Sequence, residues 1–266
     1  MKIGLLQLYE EHCSDGLRRI EDMLKLETDL LILPEKWMPL KEENIVHGDR
    51  HPFLDGVSAL SSDYGAAVLT GALYEKDGGC MYITCYAYGP DGGLLAKQRK
   101  IHLFLAEKDS FRPGESINSF SFSGAKIGMA VCYDIDFPET VRKYALADCD
   151  LLAVPAKIIK QGMDPWMLYV QTRVLENRMP VAFSNCAYGT YFNGGSALVD
   201  LVESKEGHIM YSRVRSIRDG ENAAVFDFAP GELREARRIR LSDRNASVDA
   251  LASEYANPPD NSSPQK

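Results

Sequence analysis

Short apolar runs, each closed by a turn signal, alternate with amphipathic stretches along most of the chain. Residues 2–8 predict a strand, and Ser14-Asp15 offer an N-cap to a helix whose apolar positions Leu17, Ile20, Met23 and Leu24 share one face. A buried strand over 30–33 ends in Pro34-Glu35-Lys36-Trp37. A helix near 53–61 and a strand over 66–73 complete a β-α-β-α-β pattern. The β-branched and aromatic run 80–88, closed by Gly89-Pro-Asp-Gly-Gly93 and followed by 94–99, predicts a hairpin that delivers Lys100 to the far end of its strand. Residues 119–122 lead into a strand over 126–131, and Cys132 stands at its tip. A helix over 139–146, a strand over 151–155, a helix over 165–178 with Met167, Val170 and Val174 on one side, and a strand over 181–185 repeat the alternation. Late strands are predicted over 196–200, 209–214 and 223–228, and a charged helix over 231–240. Two copies of one layered pattern predict an α/β fold of two mixed sheets packed face to face with helices outside.

Composition narrows this picture without changing it. A chain of 266 residues, 45% hydrophobic and 26% charged, buries a substantial core and fits one large domain or two small ones. We expect a domain over 1–241 and a polar, Pro-rich tail over 242–266, either disordered or an arm laid on a neighbour. The formal charge of -8, with no long basic run, argues against nucleic acid as a partner. The apolar start of the chain meets Glu10 and Glu11 too early for a signal peptide or a membrane span, so a cytoplasmic protein is expected. Six cysteines without a secretion signal are expected as free thiols. No CxxC pair occurs, and His47 and His51 form an HxxxH pair in a loop-like context without the glutamate of a zincin, so no metal is expected.

The candidate chemistry comes from three polar residues at strand ends, Glu35, Lys100 and Cys132. In open α/β sheets the carboxyl ends of strands are where ligands sit. Taken singly, Cys132 reads as a buried structural thiol and the other two as surface charges. Together they supply what a thiol nucleophile needs: a base to take its proton and a cation for the charge that develops on the substrate. Glu35 in a partly desolvated pocket is expected to have a raised pKa and to take the thiol proton. Lys100 is expected to lower the energy of the thiolate and to face the oxyanion.

The stretches Leu33-Pro-Glu-Lys-Trp37, Arg99-Lys-Ile-His-Leu-Phe104 and Val131-Cys-Tyr-Asp-Ile-Asp-Phe-Pro-Glu139 resemble, in order and separation, the three catalytic signatures of the nitrilase superfamily of carbon-nitrogen hydrolases. Thr172-Arg-Val-Leu-Glu-Asn177 and Gly195-Ser-Ala-Leu-Val-Asp200 extend the resemblance, which covers about residues 1–230. It implies a four-layer αββα sandwich with Glu35 as general base, Lys100 as oxyanion-stabilising cation and Cys132 as nucleophile. The segment Glu107-Lys-Asp-Ser-Phe-Arg-Pro-Gly114 resembles the site of the family's second glutamate, so Glu107 would orient Lys100 or shuttle protons. The implied activity is an amidase that releases ammonia from a small carboxamide through a cysteinyl thioester, without metal or organic cofactor. Nitrilase, N-carbamoyl amidohydrolase or a non-catalytic binding member of the fold are the alternatives. A backbone N–H near Tyr133 would assist the oxyanion, and a helix-to-helix homodimer is implied. At Asp136 the sequence departs from the family, many members of which carry Arg there. Some relatives use basic residues at this place to hold a substrate carboxylate, whereas Asp136 would either meet an amine or pair with Lys157 or Arg173. Lys157, at the end of the next strand, is the remaining candidate for the pocket lining.

Overall fold

The computed structural model describes residues 1–205, 207, 209–218 and 222–247. In chain order the first half contains β1 (Lys2–Leu6), α1 (Cys13–Leu24), β2 (Leu30–Ile32), β3 (Val46–His47), α2 (Pro52–Tyr64), β4 (Ala67–Asp77), β5 (Cys80–Tyr88), β6 (Leu94–Arg99) and α3 (Glu107–Ser110). The second half contains β7 (Asn118–Phe122), β8 (Ala125–Met129), α4 (Pro138–Leu146), β9 (Leu151–Ala156), α5 (Met163–Asn177), β10 (Val181–Asn185), β11 (Ala187–Tyr188), β12 (Phe192–Asn193), β13 (Ala197–Glu203), β14 (Met210–Ser216), β15 (Ala223–Asp227) and α6 (Arg234–Ser242).

Helical crossovers force parallel pairing and hairpins force antiparallel pairing, and both sheets follow that rule. In the first sheet, ordered β15-β1-β2-β4-β5-β6, the strands β1, β2 and β4 are parallel and joined through α1 and α2. The β5–β6 hairpin and the returning β15 are antiparallel. The second sheet, ordered β14-β13-β10-β9-β8-β7, has β8, β9 and β10 parallel through α4 and α5, with antiparallel strands on either side.

Period-two alternation then sets the layers. Ile3, Leu5, Leu30, Ile32 and Leu69 of the first sheet share one core with Ile127, Met129, Leu151, Val181 and Phe183 of the second. The alternate residues Leu31 and Val68, with Leu33, turn the other way onto Ile20, Met23, Phe53 and Val57 of α1 and α2. On the far side, Val141 and Tyr144 of α4 and Trp166, Val170 and Val174 of α5 cover the second sheet. The order is therefore helix, sheet, sheet, helix, the αββα sandwich expected. Among the described residues no helix is long and apolar enough to cross a membrane.

Three local expectations change. Helix α1 starts at Cys13 with His12 as N-cap and no side-chain cap bond, so Ser14 and Asp15 lie inside its first turn, where an acidic side chain favours the positive end of the helix dipole. Strand β4 continues past residue 73 to Asp77, because Gly71 makes a bulge in mid-strand and does not end it. The strand before Cys132 stops at Met129, and Cys132 opens a 3-10 turn over Cys132–Asp136. The charged helix is α6, whose buried Arg237 faces Asp150. Residues 248–266 of the expected tail lie outside the described residues.

Candidate functional site

Glu35 leaves the end of β2 on a loop held by the bulge of β4. The N–H of Ala72 donates to the Pro34 carbonyl at 3.2 Å, that of Lys36 to Ala72 at 2.7 Å, and the Trp37 indole to Thr70 at 2.9 Å. Gly71 has a φ of 73°, and a Cβ there would stand 2.0 Å from the Pro34 oxygen, so only glycine lets the two backbones meet. The Glu35 N–H reaches across to the other sheet and donates to the Ala156 carbonyl at 3.1 Å. Its carboxylate is buried, 1% exposed.

Lys100 follows β6 directly, fixed by its own N–H to Ile83 at 2.8 Å and by the Gly114 N–H to its carbonyl at 2.7 Å. Its ammonium is buried and lies 2.7 Å from Glu35 Oε1 and 2.8 Å from Glu107 Oε2. Glu107 opens the single-turn helix α3, accepts the Phe104 N–H at 2.8 Å, and pairs with the ammonium of Lys36. Two ammoniums and two carboxylates thus alternate around the centre, which is what makes their burial affordable.

Cys132 sits in the left-handed region at φ 46°. For a residue with a Cβ this conformation costs on the order of 1 kcal/mol and is held by its surroundings. The holder is Asp134, fully buried, whose carboxylate accepts the N–H groups of Val131 at 2.9 Å, Ile101 at 3.1 Å and His102 at 2.7 Å. One side chain thereby ties the Cys132 turn to the segment after Lys100. The thiol faces the Glu35 carboxylate, close enough for each to act on the other's protonation, and the backbone N–H of Lys157 acts to stabilise the thiolate.

The charges follow from this packing. Burial pushes the Glu35 carboxyl up, but the ammoniums of Lys100 and Lys36 and the bonds from Lys100 and Cys132 outweigh it and hold the group below its ordinary value. The expected upward shift is therefore reversed, because there are two cations beside it and the sequence had suggested one. Burial pushes the Cys132 thiol well above its ordinary value, and the Glu35 charge adds to this against the pull of Lys100. Burial acts to lower Lys100, but Glu35, Cys132 and Glu107 raise it on balance. The resting pattern is a neutral thiol against an ionised carboxylate and a persistent ammonium. Such a set can pass a proton from sulfur to carboxylate as the sulfur attacks. The ammonium has three N–H donors, facing Glu35 Oε1 at 2.7 Å and the two Glu107 oxygens at 2.8 and 3.1 Å, so an incoming oxygen would share a donor with a carboxylate.

The structure brings Glu35, Lys100, Cys132 and Glu107 together. The Tyr133 ring, half-buried, packs edge-on against Phe104 and Phe137, with centroids 5.0 Å away in each case. Lys157 sends its ammonium to the Lys36 carbonyl at 3.1 Å and over the ring of Tyr9 at 4.7 Å. Asp136 is not paired as expected, since Arg173 spends its guanidinium on the backbone carbonyls of Ile135 and Asp136. Sequence reading missed three neighbours: Lys36, Asp134, and Cys186, whose thiol donates to the Glu35 carbonyl at 3.3 Å. Lys36 and Asp134 lie inside the quoted motifs and were within reach of a closer reading, whereas nothing local marks Cys186. His51 accepts the Phe53 N–H at the start of α2 and contacts the Glu43 carbonyl, a capping role. Among the described residues no group of three or more His, Cys, Asp and Glu side chains is placed to hold a metal ion.

Residues 4–202 match the family model described as carbon-nitrogen hydrolase. Omega-amidase NIT2 of Bos taurus is 32% identical over 209 residues, covering 70% of this chain and 74% of that protein. Omega-amidase NIT2 of Xenopus tropicalis is 35% identical over 141 residues, covering 49% of this chain, which here spans about half the relative's length, 51%. Among solved structures, an amidase from Nesterenkonia superposes with a TM-score of 0.71 at 23% identity, covering 91% of this chain and 95% of that one. A CN-hydrolase superfamily protein of Xanthomonas campestris, solved with an arsenic adduct in its active site, superposes with a TM-score of 0.78 at 23% identity, covering 92% and 97%.

Proposed function

The chain belongs to the carbon-nitrogen hydrolase family, and on that footing we propose that it is a thiol-dependent amidase that releases ammonia from a small carboxamide. The observation that carries the reading is the buried Lys100 ammonium 2.7 Å from the buried Glu35 carboxylate, with the Cys132 thiol facing that same carboxylate. In this reading Cys132 attacks the carbonyl carbon as its proton passes to Glu35. The oxyanion takes an N–H of Lys100 and a backbone N–H at Tyr133. The tetrahedral centre then collapses, the C–N bond breaks, and Glu35 returns the proton to the leaving ammonia, so that a thioester remains on Cys132. A water molecule gives its proton to Glu35 as it adds to the thioester, and the acid leaves as the thiol is restored. Glu107 positions Lys100 and does not itself touch the reacting atoms. The omega-amidase activity in the relatives' names favours a carboxamide over a nitrile or an N-carbamoyl substrate.

The test is ammonia release from a panel of amides, N-carbamoyl compounds and nitriles, with Cys132→Ala as control. We expect turnover of at least one small carboxamide and a loss on the order of a thousandfold or more in the variant, the usual scale for a lost nucleophile. Equal release by both proteins, or release from nitriles alone, would overturn the reading. The same family footing supports a homodimer joined through helices, for which α5 offers the exposed Leu168 and Tyr169. Light scattering at micromolar concentration should then give twice the chain mass of 29.6 kDa, and a monomer would contradict it.

A further inference from the structure

Asp136 closes the turn that Cys132 opens, and its carboxylate is the one acidic group of this turn left without a structural task. Asp134, two residues earlier, spends its oxygens on backbone N–H groups. Asp136 Oδ1 is buried and has no hydrogen-bond partner among the described residues. The nearest candidate cation is occupied elsewhere: Arg173 Nε binds the Ile135 carbonyl at 2.9 Å, one terminal nitrogen binds the Asp136 carbonyl at 2.8 Å, and the other lies 3.3 Å from Glu176. The Lys157 ammonium is held at the Lys36 carbonyl.

A buried, unpartnered carboxylate oxygen costs about 1–3 kcal/mol or more, so a fold keeps one where a ligand completes it. Burial raises the Asp136 carboxyl to about 6, against the pull of Arg173 and Lys100, so it is mostly ionised at neutral pH. Asp136 ends the same single turn that Cys132 opens, four residues past the nucleophile, so the group stands beside the reaction centre. We propose that Asp136 receives the ammonium group of the substrate, which makes the substrate class a short carboxamide whose acyl chain carries a cationic amine. A terminal carboxylate at the same place would meet a like charge in a poorly screened pocket, and a purely apolar chain would leave the oxygen bare.

This rests on the amidase reading for its substrate frame, and the experiment separates the two. Glutaramate, butyramide and γ-aminobutyramide present an anionic, a neutral and a cationic end on the same three-carbon chain. In the wild-type protein, kcat/KM for ammonia release should favour γ-aminobutyramide over glutaramate by about a hundredfold, two factors of ten in an equilibrium preference. Asp136→Asn should bring that ratio to within about threefold of unity, and Asp136→Arg should reverse it. Binding of the three amides to Cys132→Ala, measured by titration calorimetry, gives the same ranking without chemistry. Hydrolysis of butyramide with no preference for the cationic amide sinks the Asp136 assignment while the amidase reading stands. Absence of ammonia from every amide, with calorimetry still ranking the cationic one first, sinks the amidase reading and keeps the assignment. A wild-type ratio favouring glutaramate overturns the assignment whether or not the Asp136 variants fold.

Discussion

At the scale of single residues, the balance of charge decides the protonation pattern. Lys36 and Lys100 face Glu35 and Glu107, so the innermost quartet is formally neutral before the thiol ionises. Removing a proton from Cys132 to solvent would leave a net negative charge in a buried site, which is why the thiol pKa rises although an ammonium stands near it. Moving that proton to Glu35 keeps the net charge constant, so carboxylate and thiol act as one unit. The consequence is a pH profile. The Glu35 carboxyl lies below its ordinary value of 4.5, so on a neutral amide the acid limb of kcat/KM should fall below that pH. A limb centred near neutrality would instead mark a raised carboxyl and contradict the arrangement. The stability linkage has the same sign: the Glu35 contribution is present above its unfolded value and is lost as pH falls through the folded one. Glu35, Lys100 and Cys132 were legible from the sequence because each ends an apolar run. The direction of the Glu35 shift was not, because it depends on Lys36 turning inward, and a lysine beside a glutamate reads as solvent-exposed.

At the scale of elements, legibility followed how local the determining forces are. The β5–β6 hairpin was read to the residue, since its β-branched strands and the glycine-rich turn are complete within one stretch of chain. The continuation of β4 was not, because a glycine in a strand signals an end as readily as a bulge. What keeps the chain extended there is the contact of Gly71 with Pro34, which is distant in sequence. The start of α1 was missed by two residues for the same reason: the tertiary packing of Gly16 beneath Trp37 fixes the helix, and the local cap preference of Ser14 yields. The turn at Cys132 was read as the end of a strand. Its left-handed conformation rests on Asp134 receiving N–H groups from two separate segments, which no single window of sequence contains.

At the scale of the whole molecule, the sandwich brings together groups that lie far apart in the chain. Glu35 and Lys100 come from the first sheet, and Cys132 and Lys157 from the second. The Glu35 N–H to the Ala156 carbonyl joins the two sheets beside the reacting groups. The doubled βαβ alternation made the two sheets, their face-to-face packing and the outer helices readable, and the shared core of Ile3, Ile32, Ile127 and Val181 joins the two sheets as that pattern predicts. Burial of the pair Glu35 and Lys100 between sheets gives the thiol its base in a site with little water, where charge-assisted steps are strongest. The measurement that reaches this most directly is a rapid acid quench of the wild-type protein during turnover of its best amide, followed by peptide mass spectrometry. The predicted result is an increment equal to the amide minus ammonia on the peptide that carries Cys132, absent from Cys132→Ala. An increment on Cys186, or on no cysteine while ammonia is released in a burst, would contradict it.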